Sequence, residues 1–189
     1  MSDFNSQFRK IAILFANCAF SCLLLSGQSH AANNAVDEAT LKAAYIYSIA
    51  KFVEWPDAAF NNNQEHFNLC ISHKKELVNA VTNLNGKEIH GKIINTTNVH
   101  DTESLNGCHI LFIGNVSNDE LEAITKKCAN LHILTVSDKP VFHDNHVIVN
   151  LVTINNKIRF EIDLATAKAS DLKISSRLLS LSIKVNREK

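Results

Sequence analysis

The sequence predicts an α/β fold, a single-domain mixed β-sheet flanked by helices in three layers, with a C-terminal antiparallel hairpin. Three observations point there. His109 to Ile113 and Leu131 to Val136 are nearly continuous apolar runs, as expected for strands covered on both faces. Segments with helical spacing lie between such runs, the alternation of an α/β chain. Lys157 to Asp163 alternates strictly, with Ile158, Phe160 and Ile162 on one face and charges on the other. The 189 residues suit one domain, and 46% hydrophobic content supplies a core. The 19 basic and 19 acidic side chains cancel, which argues against a nucleic-acid binder.

Residues 1–31 read as a signal peptide, followed by one domain over 32–189. Arg9-Lys10 precedes the uncharged run Ile11 to Leu25, and Ser29-His30-Ala31 is a small-x-small cleavage signature. The run is short of the ~20 residues that span a bilayer. Leu25-Ser26-Gly27 is followed by Gln28, not the Cys a lipoprotein needs. A soluble exported protein cut near Ala31 or Ala32 is expected. Cleavage removes Cys18 and Cys22 and leaves Cys70, Cys108 and Cys128 in an oxidising compartment. Three cysteines allow three pairings, with one thiol over.

An amphipathic helix follows over about 37–53, capped by Asp37 or Thr40 and stopped before Pro56. Phe67 to Ile71 reads as a strand and Glu76 to Leu84 as a helix ended by Asn85-Gly86. Lys92 to Asn95 reads as another strand. His109 to Ile113 is a buried strand, followed by a helix from about Asp119 to Lys127 capped by Ser117 or Asn118. Leu131 to Val136 is a further buried strand. His146 to Thr153 and Lys157 to Asp163 form the hairpin, with Asn155-Asn156 supplying the positive φ angles of a tight turn. A short helix begins near Leu164, and a last helix covers about 175–185.

Familiar catalytic motifs are missing. The sequence holds no G-x-G-x-x-G, no GK[ST], no G-x-S-x-G and no H-E-x-x-H. No cofactor, metal or catalytic residue is therefore expected. His143 and His146 are three apart in a loop, which reads as solvated histidines. Glu161 and Asp163 share a strand face, which reads as the solvated side of the hairpin. Trp55 reads as a core plug. Cys70 lies in the first strand and Cys108 opens a later one. A bridge closing the loop between them would stabilise the fold by roughly 4 kcal/mol if unstrained. It would need an offset register, because the α-carbons must approach within ~7 Å. Cys128 ends a helix and reads as a buried thiol.

Several segments resemble the YfiR-like periplasmic proteins. Leu41 to Pro56, with its Phe52-x-x-Trp55-Pro56 ending, is similar to the family's opening helix. Cys108 to Ile113 and Ile133 to Asp138 are similar to two of its strands. Ile158 to Asp163 and Leu172 to Leu179 are similar to its closing segment. The resemblance implies a periplasmic repressor that binds the periplasmic sensor region of an inner-membrane diguanylate cyclase (YfiN-like) and holds it inactive. Cyclic di-GMP and biofilm formation then fall. It implies a second partner, an OmpA-type outer-membrane lipoprotein that sequesters the repressor, and it admits a homodimer. It also implies that Cys70 and Cys108 form a disulfide tied to the repressor's stability. The segment from Val141 to Thr153 has no Cys, so a second bridge found in some members is missing. Binding is expected through exposed apolar positions on the terminal helices, with no residue assigned. The alternative is a periplasmic small-molecule-sensing module of a signalling system, marked by a concave polar site near Trp55 or Arg177. An enzyme using Cys128 or a histidine ranks below both.

Overall fold

The computed structural model describes residues 30–60, 65–100, 103–140 and 146–187. The expected signal peptide lies outside them, apart from the end of its cleavage region. The chain divides into Met1–Asp37 and Glu38–Lys189. Of the first unit, the described residues belong to the opening turns of a helix, and the second holds the sheet.

Five helices and ten strands are described. In order they are α1 (His30–Ala50), β1 (Val53–Glu54), β2 (His66–Ser72), α2 (Lys75–Thr82), β3 (Glu88–Ile89) and β4 (Lys92–Asn98). Then come β5 (Ile110–Ile113), α3 (Asn118–Ala129), β6 (Leu134–Ser137), β7 (Val149–Ile154) and β8 (Lys157–Asp163). The chain closes with α4 (Leu164–Ala169), β9 (Lys173–Ile174), α5 (Ser176–Leu181) and β10 (Lys184–Asn186). The main sheet runs β10-β8-β7-β6-β5-β2-β4-β3, and β1 pairs with β9 in a separate two-stranded sheet. Strands β4, β2, β5, β6 and β7 are parallel, while β8 is antiparallel to β7.

Alternate residues of the central strands feed two cores. Ile110 and Phe112 of β5 pack with α1 and α2, whereas Leu111 and Ile113 pack with α3. The helices therefore cover opposite faces, which accounts for the uninterrupted apolar runs. The hairpin turn uses Asn155 at φ 50 and Asn156 at φ 58, the left-handed pair its two asparagines suggest. Ser117 caps α3 by accepting from the Glu120 amide at 3.2 Å.

Two expectations need correction. The first helix runs from His30 to Ala50, so neither Asp37 nor Thr40 starts it, and it stops before Val53, which becomes β1. The last helix ends at Leu181. Ser182 is extended (φ −73, ψ 147), and the Ile183 amide donates to the Phe160 carbonyl, turning the chain into β10. The strand β10 then adds parallel to β8, outside the hairpin. The alternating Ile183 and Val185 suit a strand as well as a helix, and the open edge of β8 decides between them.

One charged cluster fixes α1 to the sheet. Lys42 Nζ lies 2.6 Å from Asp138 Oδ2 and 2.6 Å from Glu38, and Lys74 Nζ lies 3.1 Å from the same Asp138 oxygen. Asp138 follows β6 and Lys74 precedes α2, so one carboxylate joins three elements. Burial works against the Lys42 charge, but Asp138 and Glu38 outweigh it and raise its pKa. Burial also works against the Asp138 carboxylate, and the two lysines outweigh it and hold its pKa below the usual range. A group with a lowered pKa stabilises the fold above its unfolded pKa and loses that contribution as acid protonates it. Removing one partner of a buried pair leaves an uncompensated charge. Asp138→Asn is expected to destabilise the protein by about 3 kcal/mol in urea titration at pH 7, and by less as the pH falls below 4.

Candidate functional site

Cys70 and Cys108 are joined through their sulfurs, with α-carbons 5.9 Å apart. Strand pairing sets Cys70 beside Leu111, three residues beyond Cys108. Three extended residues would separate the two by roughly 10 Å along the strand direction. The bend at His109 shortens this, so Cys108 lies before β5 and not on it. The offset the sequence demanded is thus partly a bend. Both cysteines belong to the core under α3, with Leu111, Ile113 and Cys128.

The other side of the same junction is aromatic. His109 is 1% exposed and stacks on Phe60 at 4.5 Å and on Phe67 at 5.0 Å. Its Nδ1 accepts from the Asn68 amide at 2.9 Å. Trp55 Nε1 donates to the His109 carbonyl at 3.2 Å, and its ring meets Phe67 edge-on at 4.9 Å. Burial pushes the imidazole down to about 4, the Lys92 charge adds to this, and the backbone of Ala59 offsets it only in part. His109 is therefore a neutral wedge between β2 and β5. The sequence places His109 in a buried strand but assigns its ring no role, because the stack depends on a bend and on Phe60.

The other residues weighed for chemistry are scattered. Trp55 packs against the core, as a plug does. Arg177 stands over the Phe52 ring at 5.7 Å. Asp163 caps α4 by accepting from the Thr166 amide at 2.7 Å, which leaves it poorly placed to act with Glu161. His143 lies outside the described residues, and His146 is half-buried. Burial pushes the Cys128 thiol up to about 12, against a weaker pull from Lys127, so it is not a nucleophile near neutral pH. Among the described residues, no group of three or more His, Cys, Asp or Glu is placed to hold a metal ion.

Two surface features remain. The first is a crevice of about 720 Å³ at the carboxyl ends of β2, β4 and β5, lined by His73, Lys74, Lys75, Glu76, Asn98, His100 and Asn115. It does not involve Trp55 or Arg177. The second is an apolar edge. Leu181 is 61% exposed and Ile183 47%, and both adjoin β10, the last strand of the sheet on that side among the described residues. No described helix is long and apolar enough to cross a membrane.

A family model described as YfiR/HmsC-like matches residues 39–183. No curated protein matches the chain.

Two outcomes follow from the junction. In an NMR titration the His109 ring is expected to stay neutral down to about pH 4. An unfolded histidine takes its proton near pH 6.5, so the unfolded state gains protons first. Stability is therefore intact above pH 6.5 and declines between 6.5 and 4, by about 3 kcal/mol in total. His109→Phe, which keeps the stack, should lack that decline between pH 6.5 and 5. Separately, iodoacetamide at pH 8 should leave Cys128 unmodified in the folded protein and label it in urea.

Proposed function

Because the chain belongs to the YfiR/HmsC-like family, we propose that it is a repressor that binds the periplasmic sensor region of an inner-membrane diguanylate cyclase and holds the enzyme inactive. The family is one of periplasmic regulators of cyclic di-GMP signalling, regulatory and not catalytic. Export through a cleaved segment over residues 1–31 belongs to this reading, as does capture by an OmpA-type outer-membrane lipoprotein.

The observation that carries it is the apolar edge. Leu181 and Ile183 expose large side chains beside β10, the edge strand of the sheet among the described residues. An open edge offers backbone donors and acceptors to a partner, and flanking apolar side chains add the burial that makes the contact specific. Leu181 also sits on the final helix, where binding was expected. Leu41, an exposed apolar residue of α1, is a second candidate.

A repressor shifts its cyclase only by its differential affinity for the inactive state. The competent fraction of the repressor scales that effect. The Cys70–Cys108 bond limits how far the unfolded chain can spread, so reduction lowers the competent fraction and releases the cyclase.

The test is a pull-down of the oxidised protein against periplasmic regions of membrane cyclases from the same cell. One cyclase should be retained, and Leu181→Asp/Ile183→Asp should lose it. Both side chains are exposed, so circular dichroism should show an unchanged fold. Retention of no cyclase by folded wild-type protein would overturn the reading.

A further inference from the structure

We infer that the crevice at the carboxyl ends of β2, β4 and β5 is a binding site for the phosphate group of a small molecule. The strand order makes this place special. The chain leaves β2 for β4 on one side and leaves β5 for β6 on the other. The intervening helices, α2 and α3, pack on opposite faces. Where adjacent connections diverge in an open α/β sheet, a crevice forms outside the strand ends, and ligands bind there.

The lining matches a phosphate. His73, Lys74, Lys75 and His100 supply cationic or donor groups and Asn98 and Asn115 supply amides; Glu76 shares the lining, and Glu120 lies 3.5 Å from His73 Nε2. Lys74 is partly neutralised by Asp138 at 3.1 Å, which leaves Lys75 as the main charge. The α2 N-cap, Lys74, gives its helix no side-chain hydrogen bond. The first amides of α2 thus add donors beside the lysine. The floor is held in place by backbone contacts. Gly114 donates to the Ser72 carbonyl at 2.8 Å and Asn115 to the His73 carbonyl at 3.1 Å. A Cβ at Gly114 would come within 2.2 Å of the His73 oxygen, so this close approach needs glycine.

His73 and His100 also line a second cavity of about 30 Å³, with Leu105, Leu111, Glu120 and Ile124 among its walls. The smaller space is of water size, whereas the 720 Å³ of the crevice exceeds a bare phosphate. The size favours a phosphate monoester with a small organic body over inorganic phosphate.

The test is thermal unfolding of the oxidised, exported protein with inorganic phosphate, with glycerol 3-phosphate, and with sodium chloride at equal ionic strength. Glycerol 3-phosphate should raise the midpoint by several degrees at saturation, and chloride should not. A shift with inorganic phosphate alone would support the site and assign the free ion as its ligand. Lys75→Glu/His100→Gln should abolish the shift while leaving the unliganded midpoint nearly unchanged, since both side chains are exposed. No phosphate-specific shift in the wild type, or one that survives in the double variant, would overturn the inference.

Discussion

The structure depends most on the junction between β2 and β5. These two strands lie at the middle of the sheet, and the chain diverges from them onto opposite faces. Their contact is secured twice. On the α3 side the Cys70–Cys108 bond crosses it. On the α1 side the His109 ring fills it between Phe60 and Phe67 and receives the Asn68 amide. The two devices share the Cys108–His109 bend. A covalent tie limits the unfolded chain, and a stacked neutral imidazole adds packing to the native one.

Features farther out follow from that junction. The carboxyl ends of β2 and β5 frame the phosphate crevice. Asp138 follows β6, the next strand over from β5, and gathers Lys42 and Lys74. Tyr45 reaches the Ile158 carbonyl of β8, and Tyr47 reaches Glu88 of β3. The helix α1 thereby spans strands from both halves of the sheet. At the far edge, β10 is held by parallel pairing to β8 and leaves its apolar flank exposed. Redox state at the centre and binding at the edge are thus joined through one continuous sheet, on the proposed reading.

Much of this was legible in the sequence, and the boundary has physical reasons. His109 to Ile113 reads as a doubly covered strand because every side chain after the first is apolar, as burial on both faces requires. The hairpin is legible because Asn155-Asn156 tolerates positive φ and the flanking residues alternate. By contrast, β10 hides in a segment whose apolar residues fit a helix, and only the open edge of β8 reveals it. Lys42 and Asp138 lie 96 residues apart, so no local pattern joins them. The crevice is a property of strand order, which spacing does not give. His109 looked like the first residue of a strand, and its ring is buried only because the chain bends there.

Hydrogen exchange on the oxidised and reduced protein at neutral pH tests the central role of the junction most directly. Reduction should speed exchange at Leu69–Ser72 and Ile110–Ile113 well before it affects the β7–β8 hairpin. Equal exchange in the two redox states at those strands, or a first loss in the hairpin, would contradict the account.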